Sequence, residues 1–258
     1  MDISAVITTL NDGKRLEAAL RSLEGVVCEI VVVDGRSTDD SADIARRFTS
    51  RVTEHPGADP VDRKNRAVEL ASYPWVLYLE PDERLSPELR AELLKLRPAE
   101  PDCAGFSAPR RVSYLGRWIR HSGWAPDRRV RLFRKGRARW EGDAREEERL
   151  AVDGPVEKLA GPIHHLPFGT IGDHAARVNK TSGLAAQQLY ARGKKSHLAG
   201  LVVLPTLLCL RTYFLKLGWL DGFAGLVISV LDGYGAFLRS AKLRSIWKKG
   251  EHIEPFPY

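Results

Sequence analysis

Cysteine is scarce in this chain, with three in 258 residues, and methionine occurs once. Cys28, Cys103 and Cys209 stand too far apart for zinc or dithiol spacing, and two of them lie in apolar runs. That excludes a disulfide scaffold or a cysteine metal centre and implies buried, reduced thiols in a cytosolic protein. Long hydrophobic runs are missing too. Leu198–Leu210 has thirteen residues with Pro205 inside it, and the run beyond Lys216 carries Asp221 and Asp232. Neither reads as the stretch of roughly 20 apolar residues that spans a bilayer; a surface-lying segment fits better. The opening MDISAVITTL has an early Asp and no basic region, so it reads as a strand rather than a signal peptide. There is no internal repeat, no low-complexity tract and no recognised nucleic-acid module. Lys and Arg interleave with aliphatics rather than with a stacking platform, so nucleic acid is not an expected partner.

What is present describes an ordinary globular protein, with 43% hydrophobic and 28% charged residues. The length suits one large domain, or one domain with a substantial appendage. Net charge is +7, which favours anionic partners. The excess is local: Arg177 to Tyr258 holds twelve Lys/Arg against four Asp/Glu, a balance of +8.

The first third alternates strand and helix signals. Ile3–Thr9 is a β-branched run, and KRLEAALRSL puts Leu16, Ala19, Leu20 and Leu23 on one helical face. Residues 26–34 form a nearly continuous apolar run, as expected of a strand covered on both faces. Helical spacing resumes through Ile44, Ala45 and Phe48. Asp59-Pro60 then supplies an N-cap and first-turn proline ahead of VDRKNRAVELA. Trp75–Leu79 is another buried strand, and Ser86-Pro87 opens a helix ending near Leu96. This succession predicts a parallel sheet with helices on both faces and ligands at the carboxyl ends of its strands. After Pro98, AGFSAPRRVSYLG and RRVRLFRKG alternate residue by residue, which predicts antiparallel strands added to the sheet. From Ile171 the signal is helical and basic.

Two of the buried strands end in acids. One ends at Asp34, with Gly35, Ser37 and Asp39 following; the other runs LYLEPDER, from Glu80 into Arg84. Such residues often only cap the next helix. Two acidic turns at matching strand ends instead suit a nucleotide ring, a ribose diol and a divalent cation bridging a diphosphate.

These motifs resemble glycosyltransferase family 2, the inverting enzymes of GT-A fold that use nucleotide-sugar donors. ITTLND resembles the family's opening strand, and VVVDGRSTDDS its nucleotide-binding turn, with Gly35 where Ser is common. RKNRAVELASYPWVLYLEPDE resembles the stretch carrying the metal-binding D-x-D, here Glu80-Pro81-Asp82. HSGWAPDRRVRLFRKGRARWEG and FLKLGWLDGFAGLVISVLDGYGAFLRSAKL resemble segments of the subgroup containing lipopolysaccharide core β-1,4-glucosyltransferases. That subgroup often reads V-H-E after the tryptophan equivalent to Trp140; this chain has Ala144-Arg145-Glu146.

The resemblance implies an α/β GT-A domain over residues 1–170, a mixed and mainly parallel sheet flanked by helices. A basic helical region over 171–258 follows. It implies donor contacts from Thr8, Asp34, Ser37, Asp39, Arg63, Lys64 and Glu80, with Mg²⁺ or Mn²⁺ on Asp82. Inverting transfer needs a base for the acceptor hydroxyl and a Lewis acid for the leaving diphosphate. Asp127 is the first candidate base and Glu146 the second. Trp124, Arg131 and His165 are expected at the diphosphate or the acceptor. The implied reaction moves a hexose, UDP-glucose being the favoured donor, onto a lipopolysaccharide-core or lipid-linked saccharide. The alternative is a catalytically inactive, membrane-associated scaffold that keeps the fold. The basic SAKLRSIWKK stretch, with its Trp, predicts contact with the cytoplasmic membrane's inner face, against the alternative of a helical subdomain packed on the core.

Overall fold

The computed structural model describes residues 1–56, 59–96, 101–142 and 148–249. They fall into two compact units: Met1–Arg111 with Asp127–His165, and Val112–Pro126 with the chain from Leu166 onward.

The first unit opens as β1 (Ile3–Thr9), α1 (Gly13–Leu23), β2 (Glu29–Asp34), α2 (Ser41–Arg46) and β3 (Val52–Glu54). It continues through α3 (Pro60–Leu70), β4 (Trp75–Leu79), β5 (Glu83–Leu85) and α4 (Pro87–Leu96). Period-two alternation buries both faces of the sheet. Ile3, Ala5 and Ile7 of β1 pack with Leu16, Leu20 and Leu23 of α1 and with Leu89 and Leu93 of α4. Val6 points the other way, to Val61, Ala67 and Val68 of α3. The start of α3 follows the expectation: the Asp59 carboxylate accepts from the Val61 N–H at 2.9 Å, and Pro60 fills the first turn. The second strand starts at Glu29 rather than Val26, because Gly25 at φ +73° and the Val26 N–H on the Leu23 carbonyl close the helix with a turn first.

After α4 come β6 (Gly105–Tyr114), β7 (Arg117–Trp118), β8 (Asp127–Arg134), β9 (Ala138–Glu141), β10 (Arg149–Val152), β11 (Val156–Lys158) and β12 (Ile163–His165). The main sheet runs β3-β2-β1-β4-β8-β6-β12-β5. The first four strands are parallel, and β8 is antiparallel to both β4 and β6. Register sets Thr9 beside Asp34 and Ile7 beside Leu79, so β1, β2 and β4 end at one edge. One unforeseen strand, β5, begins directly after the acidic turn and pairs antiparallel with β12, setting Glu83 opposite His165.

In the second unit, the end of β6 and β7 form a hairpin over Leu115 and Gly116, both at positive φ as a tight turn requires. Three helices follow: α5 (Ile171–Ala191), α6 (Leu198–Leu210) and α7 (Gly222–Lys249). A capping box between Thr170 and Asp173 starts α5. A π turn at Arg211–Leu215 and a 3₁₀ turn at Gly218–Asp221 join α6 to α7. Gly225 is obligatory there, since a Cβ would lie 1.9 Å from the Gly218 carbonyl oxygen.

Two sequence expectations bear on this unit. One helical stretch, Gly218–Lys248, is long and apolar enough to cross a membrane by length and composition, because helix continues through Asp221 and Asp232. Yet Asp221 is buried and hydrogen-bonded, and Asp232 accepts from the Thr212 hydroxyl at 2.9 Å. The SAKLRSIWKK stretch packs much of its apolar side within the unit, Trp247 remaining 41% exposed. Leu243 and Ile246 are buried against Ala186, Leu189 and Tyr190 of α5. Trp247 packs edge-on to Tyr190 and donates to the Lys194 carbonyl at 2.8 Å.

Candidate active site

At the ends of β1 and β2 two turns are laced together. The Asn11 N–H donates to the Ser37 hydroxyl at 2.9 Å, and the Thr38 N–H to the Asn11 amide oxygen at 2.7 Å. Buried Asp34 accepts from the Ser37 N–H at 2.9 Å and from its hydroxyl at 2.5 Å. Asn11 and Arg36 take left-handed backbone conformations, φ +57° and +66°, in this lacing. Asp39 behaves as a cap. Its carboxylate accepts from the N–H groups of Gly13 and Ser41, both at 3.0 Å, and from the Ser41 hydroxyl. Burial, the largest influence on Asp39, would raise its pKa; the hydrogen bonds from Ser41 and Gly13 overcome it and hold the carboxyl below its ordinary value. Gly13 lets the Asp40 carboxylate approach closely, since a Cβ there would lie 2.0 Å from it and push that side chain aside. At Gly35 the Arg63 guanidinium lies 3.3 Å from where a Cβ would be, so the Ser common at this position would crowd it.

The second acidic turn holds a connected set of charges. Glu83, fully buried, accepts from Arg131 at 2.6 Å and faces Arg110 at 3.5 Å. Arg131 also reaches Glu80 at 3.0 Å. Arg110 pairs with Asp127 at 3.3 Å and lies 2.9 Å from His165 Nδ1 and 3.4 Å from its Nε2. His165 Nε2 in turn lies 3.3 Å from Asp82. A guanidinium can only donate, so Nδ1 is the acceptor and a neutral imidazole carries its proton on Nε2, aimed at Asp82. Arg15, from the first turn of α1, reaches Asp82 at 3.8 Å and pairs with Asp12. Burial is the largest influence on Asp12 and raises its pKa, with the Arg15 charge opposing. For Glu80 burial again pushes upward, but Arg131, helped by Lys64 and Arg110, brings the carboxyl below its ordinary value.

Glu80, Asp82 and His165 each offer a ligand atom, all within 4.8 Å of one another. The two carboxylates suit Mn²⁺ or Mg²⁺ through their oxygens, and the His165 imidazole can join them on Mn²⁺ once its proton moves from Nε2 to Nδ1. The residues present therefore fit a divalent cation.

The expected residues gather unevenly. Thr8, half-buried, lies 3.3 Å from the Tyr78 hydroxyl. Lys64 sits over the Trp140 ring at 4.4 Å and pairs with Glu148. Arg131, expected at the diphosphate, is only 3% exposed and is engaged by Glu83 and Glu80 behind the acidic turn. Trp124 belongs to the second unit, where it packs with Tyr114, Phe168 and His174. Glu146 lies outside the described residues. Sequence reasoning missed Glu83 and Arg110. Glu83 stood in plain view as the last acid of EPDE, but nothing in its spacing announces a buried ion pair.

The family model described as Glycosyl transferase family 2 matches residues 4–146, over half of the chain. The lipopolysaccharide core biosynthesis glycosyltransferase LpsC of Rhizobium meliloti is 29% identical over 249 residues, covering 94% of this chain and 92% of its own. An uncharacterized glycosyltransferase of Rickettsia prowazekii is 27% identical, covering 97% of this chain and 89% of its own. Among solved structures, S. aureus TarS 1-349 in complex with UDP-GlcNAc superposes with a TM-score of 0.50 at 13% identity, covering 98% of this chain and 93% of that one. That likeness concerns the fold. With strand ends, acidic turns and family match in agreement, the chain belongs to glycosyltransferase family 2 and is a glycosyltransferase of GT-A fold.

Proposed function

We propose that this enzyme transfers a hexose, with inversion, from a UDP-sugar to a saccharide of the lipopolysaccharide core or to another lipid-linked saccharide. UDP-glucose is the favoured donor on the resemblance of the GWAPDRRVRLFRKG segment, and LpsC supports the acceptor class. The observation that carries the reading is the meeting of Glu80, Asp82 and His165 at the carboxyl end of β4, two strands from the Asp34 turn.

In this reading the Asp34–Ser37 turn receives the nucleoside, and Asp82 and Glu80 face the diphosphate. A divalent cation held by Asp82, Glu80 and His165 would stabilise negative charge on the departing diphosphate. Asp127 takes the proton of the acceptor hydroxyl as that oxygen attacks the anomeric carbon. Arg110 and Arg129 hold one carboxylate oxygen each, at 3.3 and 3.0 Å, which fixes its orientation. Lys64, over the Trp140 ring, adds fixed positive charge at the donor side. A soluble donor and a lipid-anchored acceptor meet at a membrane surface, so the cytoplasmic face of the inner membrane is the proposed place of work.

UDP with Mn²⁺ should raise the melting temperature, and Asp82→Ala should abolish the rise. A panel of nucleotide-sugars, assayed for metal-dependent hydrolysis without acceptor, then identifies the donor. No thermal shift with any nucleotide, and no hydrolysis, would leave the inactive scaffold as the better account.

A further inference from the structure

The apolar surface left open in the second unit is neither scattered nor where the basic tail suggests. On α6, Val202 is 62% exposed and Leu207 57%; on α7, Phe223 is 66% exposed and Val230 50%. On α7 the row Phe223, Leu226, Val230, Tyr234 and Phe237 recurs at spacings of three and four, one helical face about 21 Å long. The two helices run antiparallel: Gly233 abuts the Pro205 carbonyl and Gly200 faces Ser240. Between them lies a groove of about 420 Å³ floored by Pro205, Cys209 and Gly233 and walled by Val202, Val230 and Phe237. Phe214 and Leu215, at 58% and 79% exposure, extend the apolar surface past the end of α6.

Basic charge gathers at one end of this face. Lys194 and Lys195 precede α6, and Arg244 and Lys248 lie exposed toward the end of α7, which the antiparallel packing brings to the same end. Asp232 is the one acid between Phe223 and Phe237, and it is held by Thr212. An apolar face of this size with basic residues at its end matches a bilayer leaflet with anionic headgroups. A second copy of the chain would bring its own +8 excess over the same region.

We infer that the α6–α7 face lies in the plane of an anionic membrane surface, with the α6–α7 groove opening toward the acyl chains and the basic end at the headgroups. This rests on the lipid-borne acceptor proposed above, but its test does not need activity. The full chain is sedimented with vesicles of phosphatidylcholine alone or with one-third phosphatidylglycerol. Binding to the anionic vesicles should be at least roughly tenfold stronger. Leu207→Glu with Phe223→Glu should weaken it at least roughly tenfold, and Lys248→Glu by about fivefold. Leu94→Glu, at an exposed leucine of α4, should leave it unchanged. The thermal shift with UDP and Mn²⁺ is read on the same variants, so loss of vesicle binding with the shift intact separates this inference from the nucleotide reading. Absent binding by the parent chain, equal binding by the double variant, or a solution dimer dissolved by that variant would each overturn it.

Discussion

The two units bury polar groups in different ways. In the first, Glu83, Arg131, Glu80, Arg110, Asp127, His165 and Asp82 form one chain of contacts from a fully buried carboxylate to half-buried ones at the strand ends. In the second, the buried Asp221 and His174 are each satisfied by a small local set of partners. Asp221 accepts from the N–H groups of Arg120 and His121 at 3.1 and 3.0 Å and from the Ser122 hydroxyl at 2.8 Å; His174 meets the Tyr114 hydroxyl at 3.0 Å. A group satisfied locally holds a turn or a helix in place. A connected set can redistribute its contacts when a charged ligand arrives, and so suits a site that binds and releases a diphosphate.

The widest separation between the units should come from Glu83. Glu83→Ala leaves Arg131 buried opposite a missing carboxylate and should lower stability by about 3–5 kcal/mol in denaturant unfolding. Glu83→Gln combined with Arg131→Met should recover part of that loss. A double variant no better than the single one would show that the pair is not the source. Next comes Asp127. It lies near the surface and its contacts are ion pairs, so Asp127→Asn should leave the melting temperature close to that of the parent. Its kcat should fall roughly 10²-fold or more. A matching loss of stability would demote Asp127 to a structural residue like Asp221.

The second unit makes its own prediction through His174. Burial, with a smaller contribution from Arg177, depresses its pKa to about 4, and the ring stacks on Phe168 at 4.2 Å. The folded protein therefore keeps the imidazole neutral, while the unfolded chain takes up a proton near pH 6.5. Stability is fully present above about 6.5 and falls as the pH drops toward 4, by about 2 kcal/mol between pH 7 and 5. His174→Phe should flatten that slope in thermal unfolding; an unchanged slope would place the titration elsewhere.

How much of this was legible in the sequence follows the same division. The parallel half was readable because strand covering and helix capping are local: Asp59-Pro60 and the buried run ending at Asp34 declare themselves within a few residues. The acidic turns were visible as composition, and the family resemblance gave them a purpose. Their wiring was not. Arg131 and Arg129 alternate along one strand and look alike in sequence, yet only Arg131 meets buried acids, because β5 and the Glu80 turn lie opposite it. The packing of the basic stretch was hidden for a similar reason. SAKLRSIWKK has the composition of an interfacial helix, but α5 supplies a partner for its apolar side, leaving the open face to Val202, Phe223 and Val230, which no basic pattern marks.

The smallest of these effects tests whether the connected network is functional or merely well packed. Arg110 touches Asp127, His165 and Glu83 with different nitrogens, a fork that lysine cannot reproduce even though it keeps the charge. If its role were only to neutralise the acids, Arg110→Lys would be silent. If it positions Asp127 and keeps His165 Nδ1 as an acceptor, the variant should lose about tenfold in kcat, with little change in the KM for the nucleotide-sugar. Mn²⁺ affinity supplies a second readout. Freed from the guanidinium, His165 can move its proton to Nδ1 and turn a bare Nε2 toward the Glu80–Asp82 pair, so the variant should bind Mn²⁺ more tightly while turning over more slowly. A purely structural Arg110 would move the melting temperature and leave both the metal affinity and the ratio of kcat to KM where they were.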